Sequence, residues 1–339
     1  MNDTLIAPQF LSKRADYAWR FILSCLAPAG RSAKLSIVLF HRVHANPDPL
    51  FPGDPDAKRF DELCRWLAAW YNVLPLDDAV DRLAQGVLPA RALAITFDDG
   101  YADNHDLAVP ILRKHGLRAT FFIATGFLNG GRMWNDIAVE AVRQCRQSTL
   151  DLGDLGLAGV ARLDLSSITA RRQSLGRLLN ATKYLPTDER EAIVGRVAAR
   201  AGARLPNDLM MRGEQVRAMA DAGMQIGAHT VSHPILARLN DVDARREIAT
   251  SKSDLEALLG QRVTLFAYPN GKPGQDYLPR DAALARDLGF SAAVSTAYGA
   301  ACRADNRTFE LPRFTPWDRA RWAFAARLAR NLYTHTSIA

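Results

Sequence analysis

Cysteine is scarce in this chain of 339 residues: Cys25, Cys64, Cys145 and Cys302 are its four thiols, and none lies in a C-x-x-C pair. A zinc finger and a dense disulfide framework are thereby excluded, and four reduced, buried thiols are expected. Long apolar runs are absent too. The longest early one, Phe21 to Ala29, falls far short of the roughly 20 residues a transmembrane helix needs. There is no internal repeat and no low-complexity segment. Acidic residues are outnumbered, 36 against 43 Lys and Arg, for a formal net charge of +7. That excess is spread along the chain and suits an acidic partner, whether nucleic acid, anionic membrane or acidic glycan. No nucleic-acid recognition motif accompanies it, so no nucleic-acid partner is expected.

What is present is ordinary globular composition, 48% hydrophobic and 23% charged, which excludes disorder and collagen. Short Ile-, Val- and Phe-rich runs recur, each followed by helical spacing, the mark of βα units around a parallel sheet. The expected strands are Leu35 to Phe40, Tyr71 to Leu74, Ala92 to Phe97, Ala119 to Ala124, Met224 to Ala228, Val263 to Ala267 and Ser291 to Ser295. Seven such units point to a barrel or a doubly wound sheet, architectures that collect reactive residues at the carboxyl ends of strands. Between about 129 and 213 the pattern turns helical and Arg- and Ala-rich, with no obvious strand, and reads as a helical insertion. Residues 1–34 read as an amphipathic helical segment, 35–318 as the barrel, and 319–339 as a basic amphipathic helix and tail carrying Trp322, Phe324, Leu328 and Leu332. Docking on the protein's own core or lying on an anionic membrane would each use that last helix. Ala27-Pro28-Ala29 resembles a signal cleavage site, but Asp3, Asp16 and a long polar lead favour an uncleaved, cytoplasm-facing helix. A cytoplasmic location, or a peripheral one at the inner membrane face, is therefore expected, with secretion the alternative.

Residues with chemistry follow the strands. His229 and His233, in Gly227-Ala228-His229-Thr230-Val231-Ser232-His233-Pro234, are four apart, and one helical turn would place both imidazoles on one face as ligands of one metal. Thr96-Phe97-Asp98-Asp99-Gly100 sets two carboxylates at a strand end, with a glycine for the sharp turn. One carboxylate can join two histidines in an open three-ligand zinc site while the other faces the bound water as a base. His41 follows the first strand directly.

At these residues, and at Phe266-Ala267-Tyr268-Pro269-Asn270-Gly271, the chain resembles the polysaccharide deacetylases of the NodB-homology type, carbohydrate esterase family 4, from about Leu35 to Phe314. The resemblance implies an α/β fold, a deformed (β/α)7-type barrel. It also implies Asp98 as general base, and Asp99, His229 and His233 as ligands of a divalent metal, zinc first, with cobalt or manganese as alternatives. The family's acid is a histidine in a Leu-x-His motif near the C-terminal end; here Leu39-Phe40-His41 stands at the front, as in a circularly permuted branch, and makes His41 the expected acid. Many members hold the base with an arginine where this chain has Ala267. Arg313 could supply that charge from another strand, or lie at the surface. A backbone N–H near Asn270 is placed to stabilise the oxyanion. Trp134-Asn135-Asp136 and Tyr101 would line the sugar site or simply pack.

The implied activity is a metal-dependent deacetylase acting on N-acetylated amino sugars of a surface polysaccharide or its lipid-linked precursor. Hydrolysis of a non-sugar amide or cyclic ureide, and a non-catalytic glycan-binding or assembly role, are the alternatives.

Overall fold

Six of the apolar runs form strands in the computed structural model, which describes residues 7–315 and 318–333, with side chains from residue 16 onward. They are β1 (Lys34–Phe40), β2 (Ala92–Phe97), β3 (Thr120–Ile123), β4 (Gln225–Ala228), β5 (Leu265–Ala267) and β6 (Ala292–Val294). Each pairs parallel with the next in chain order. Parallel strands are covered on both faces, which is why they read as continuous apolar runs; β2 is buried at every position.

The curled sheet is completed by Leu311 to Phe314. Leu311 bridges Val294 on β6, and Phe314 bridges Val38 on β1, with Phe314 N–H donating to Ile37 O at 3.1 Å and Leu39 N–H to Phe314 O at 2.9 Å. Pro312 has no N–H to give to a ladder, so this seventh position stays irregular. The expected barrel strand Tyr71 to Leu74 is corrected accordingly. Tyr71 caps helix Ala57–Trp70 and Pro75 opens helix Leu76–Gln85, leaving only Asn72–Val73 extended against Ala92 and Leu93.

Alternation along the strands sorts the core. Ala92 and Ala94 of β2 join Leu35, Ile37, Phe122, Leu265, Val294 and Leu311 inside the barrel. Leu93, Ile95 and Phe97 face outward with Phe40, Phe60 and Phe121 under the helices. The inward phase of β2 therefore continues through Thr96 to Asp98.

The excursion after β3 is mostly helical, with helices Trp134–Gln144, Ile168–Thr182 and Thr187–Ala201 around an apolar cluster of their own that includes Val142, Leu178, Val194 and Val197. Contrary to expectation it also holds a hairpin, Thr149–Asp151 paired antiparallel with Arg162–Asp164. Its two ends meet: Asn129 N–H donates to Met211 O at 3.0 Å, and Asn129 Oδ1 accepts from Gly213 N–H at 3.0 Å.

Helices Ala7–Leu26 and Arg321–Tyr333 pack together outside helix Ala57–Trp70, where Trp19, Trp66, Trp70 and Phe324 cluster. Phe324, Leu328 and Leu332 are buried there, whereas Trp322 faces solvent. No helix among the described residues is long and apolar enough to cross a membrane. The thiol expectation holds for Cys64 and Cys145 and fails for Cys25, which is exposed, and Cys302, which is half-buried.

Candidate metal and carboxylate site

Asp98, at the mouth of the barrel, meets the one arginine whose position the sequence left open. Arg313 Nη1 donates to Asp98 Oδ1 and Nη2 to Oδ2, both at 2.7 Å. Two further donors are also used, Nε to Ser295 O at 3.0 Å and Nη1 to Thr96 Oγ1 at 3.2 Å, and the guanidinium lies 5.6 Å from the centroid of the Phe122 ring. Leu311 and Arg313 share one phase of the closing segment, so a buried arginine lands opposite the inward phase of β2. Burial alone would raise the Asp98 carboxyl; the charge of Arg313, then that of His229, outweighs it and holds the group below the usual carboxylate range. The arginine paired with Asp98 thus comes from the closing segment, not from the β5 position that Ala267 occupies.

Asp99 turns the other way. It adopts a left-handed backbone (φ 80°) followed by Gly100 (φ 92°), where a Cβ would meet Ile123 at 3.2 Å, so the glycine is required by both conformation and space. Asp99 Oδ1 then lies 3.5 Å from Nε2 of His229 and 3.5 Å from Nε2 of His233. The three ligand atoms all fall within 4.8 Å of one another.

The two imidazoles are not on a helical turn, which corrects the reading from their spacing. His229 follows the end of β4, and the chain then folds back through left-handed Thr230 (φ 64°) and His233 (φ 51°). Thr230 Oγ1 accepts from His233 N–H at 3.1 Å. Glu247, on helix Asp241–Leu259, accepts from the N–H groups of Val231 and Ser232 at 2.9 Å each and from Ser232 Oγ at 2.8 Å. A loop strained at two non-glycine residues is thereby held shut by one carboxylate. Nothing in the sequence singled out Glu247, because a glutamate on a helix is unremarkable.

His229 Nδ1 lies 2.8 Å from Ala267 O; a carbonyl only accepts, so Nδ1 carries a proton and Nε2 is the nitrogen turned to Asp99. Burial would lower the His229 imidazole, but the charge of Asp98 and its contact with Asp99 raise it. Burial pushes the His233 imidazole down to about 4, with the charge of Asp99 opposing. Asp99 lies below the usual carboxylate range: burial would raise it, but the hydrogen bond from His229 and the nearby imidazole charge prevail. One carboxylate and two imidazoles, convergent, with Asp99 and His229 buried and His233 half-buried, fit a divalent cation of the zinc type.

Beside Asp99 opens a cavity of about 210 Å³ whose lining includes His41, Tyr101, Asn135 and Asp136. His41 is exposed at its edge. The backbone around His41 is gripped: Asn104 Nδ2 donates to His41 O at 2.9 Å, Val43 N–H to Asp103 Oδ1 at 3.3 Å, and Arg42 Nε to Asp103 Oδ2 at 2.7 Å. Tyr101 is buried and donates to Asp136 Oδ1 at 2.9 Å, while burial lifts the Asp136 carboxyl to about 6. Trp134 does not line this cavity; it packs into the insertion with the Arg190 guanidinium 4.9 Å over its ring. Asn270 lies three residues past Ala267 in a left-handed conformation (φ 59°), its carbonyl accepting from Thr296 Oγ1 at 2.9 Å. A larger cavity of about 480 Å³ between the Pro47 to Asp56 loop and Arg319 contains none of these residues.

Comparison with known proteins bears on family and fold. The family model described as polysaccharide deacetylase matches residues 85–158 and 188–293, more than half of the chain; the unmatched stretch between falls in the insertion. The Bacillus subtilis (strain 168) protein YxkH, itself named as a polysaccharide deacetylase, is 24% identical over 285 residues, covering 84% of this chain and 71% of that protein. Among solved structures, the Streptococcus pyogenes deacetylase PplD in complex with acetate is 20% identical with a TM-score of 0.57, over 88% of this chain and 98% of that one. IcaB from Ammonifex degensii is 17% identical with a TM-score of 0.55, over 91% and 99%. At these identities the structural likeness is one of fold.

Proposed function

The chain belongs to the polysaccharide deacetylase family, and from that premise we propose that it is a metal-dependent hydrolase removing N-acetyl groups from amino sugars of a surface polysaccharide or its lipid-linked precursor. The observation that carries this reading is the division of two adjacent carboxylates, Asp98 closed on Arg313 and Asp99 facing two imidazoles. A plain Asp-Asp-Gly turn has no use for such a separation.

Asp99, His229 and His233 would hold a divalent cation, zinc or alternatively cobalt or manganese, and such a cation would polarise the acetyl carbonyl and lower the pKa of the attacking water. Asp98 accepts the proton that this water releases as its oxygen bonds to the acetyl carbon. Arg313 keeps the Asp98 carboxylate ionised and fixed in orientation, since all three of its guanidinium nitrogens donate to fixed partners. The N–H of Asn270, which meets no acceptor among the described residues, donates to the acetyl oxygen as negative charge collects there. His41 gives a proton to the amide nitrogen as the C–N bond breaks, because an amine leaves poorly as an anion. The products are acetate and a free amino sugar. Tyr101, Asn135 and Asp136 offer the cavity's polar contacts to sugar hydroxyls.

Acetate release from N-acetylglucosamine oligomers, with and without a chelator, tests the proposal. Chelator-sensitive acetate restored by zinc, cobalt or manganese is expected. Metal-loaded protein that releases no acetate from any N-acetylated glycan would turn the search to other amides.

A further inference from the structure

The described residues expose nine large hydrophobic side chains, and five of them, Tyr17, Phe21, Ile22, Trp322 and Tyr333, stand on the two terminal helices. Exposure of single apolar residues is ordinary, but concentration on one packed pair of elements is not. On helix Ala7–Leu26 the inner side is buried Leu23 with half-buried Trp19, continued by Ala27 just past the helix end, and this seats the helix on the barrel. Its opposite side is apolar as well: Tyr17, Phe21 and Cys25 recur at four-residue steps with Ala18 and Ile22 beside them, all exposed. Helix Arg321–Tyr333 buries Phe324, Leu328 and Leu332 and turns Trp322, Ala326 and Tyr333 outward along one stripe. A helix that satisfies its core with one face has no internal reason for a second apolar face.

Charge names the occupant. The sequences of the two helices hold Lys13, Arg14, Arg20, Arg321, Arg327 and Arg330 against a single acid, Asp16, and Arg327 pairs with Asp318 just outside them. That acid is directed into the structure, accepting from Trp70 Nε1 at 2.6 Å and pairing with Arg321. Among the described side chains, the outer surface therefore combines aromatic groups with the exposed Arg20 and Arg330 and carries no acid from either helix. Tyr and Trp are the side chains best suited to the water–hydrocarbon boundary, with an apolar body and a polar tip, and basic residues draw such a surface toward anionic headgroups.

We propose that the paired helices Ala7–Leu26 and Arg321–Tyr333 form a surface that rests on an anionic lipid bilayer, with Phe21 and Trp322 entering the boundary region. The inference stands apart from the hydrolase reading, because no residue of the carboxylate and histidine site takes part. It would place the protein peripherally on a membrane.

The test is co-sedimentation of the full chain with vesicles of phosphatidylcholine alone and with added phosphatidylglycerol, at low and high salt. Binding to the anionic vesicles only, weakened by salt, is expected. The Phe21→Ser/Trp322→Ser double variant should lose more than about tenfold in partitioning while keeping wild-type circular dichroism. A control variant, Ile168→Ser/Val242→Ser, removes exposed apolar groups elsewhere and should bind as wild type. Should the first variant fail to fold, Tyr17→Ser/Tyr333→Ser reads the same surface. Absence of binding to anionic vesicles, equal binding by the folded variant, or a micromolar dimer abolished by Phe21→Ser/Trp322→Ser would each overturn the proposal, the last by assigning the face to a second copy of the chain.

Discussion

Arg313 and Asp98 are 215 positions apart in the chain and joined by two parallel contacts of 2.7 Å in a fully buried setting. The pairing forms because β2 and the closing segment each turn the relevant phase inward. Removing the arginine leaves an uncompensated buried carboxylate. Arg313→Met is expected to destabilise the fold by about 3–5 kcal/mol, measured by chemical denaturation. Arg313→Lys keeps the charge but not the fork, so it should fold nearly as well and lower kcat more than it raises KM. An unchanged kcat in the lysine variant would show that orientation of Asp98 is immaterial.

The pH response of metal-free protein follows from the same pair. Both Asp98 and Asp99 have folded-state pKa values below the ordinary carboxylate value. Such groups contribute stability that is complete above the unfolded pKa of about 4 and is lost as pH falls through the folded value. These two carboxylates should therefore make denaturation midpoints decline in acid below about pH 4, separately from the changes that the lowered His233 and raised His229 impose nearer neutrality, and Asp98→Asn should shrink that acid decline. Identical acid profiles for wild type and Asp98→Asn would contradict the pairing.

His41 is assigned a proton for the leaving nitrogen, and the leaving group gives a clean way to see it. His41→Ala should lower acetate release from an N-acetyl sugar by about 10²-fold or more, with metal content unchanged. Hydrolysis of 4-nitrophenyl acetate, whose leaving group departs as an anion, should be nearly unaffected. Asp103→Ala, which frees Arg42 and Val43, should give a smaller loss of the same kind. Equal losses on both substrates would remove His41 from the acid role.

Much of the architecture was legible because parallel strands buried on both faces must be apolar throughout, and the Asp-Asp-Gly and paired-histidine motifs stand at their carboxyl ends. Tyr71 to Leu74 misled because apolar content alone does not reveal that Tyr71 and Pro75 serve as helix caps. The seventh position was hidden by Pro312, which breaks the ladder at the point where the sheet closes. His229 and His233 suggested a helical turn, and the true loop depends on positive φ at Thr230, a β-branched residue for which that conformation is uncommon. Glu247 and Arg313 act across long sequence separations, so periodicity carries no trace of their partners.

The central claim is that two neighbouring carboxylates do different work, Asp98 taking a proton and Asp99 holding the metal. Bound metal and acetate release measured side by side in Asp98→Asn and Asp99→Asn test it directly. Asp98→Asn should retain stoichiometric metal and lose turnover by about 10²–10⁴-fold, whereas Asp99→Asn should lose both. Loss of metal from both variants, or full turnover in Asp98→Asn, would contradict the account.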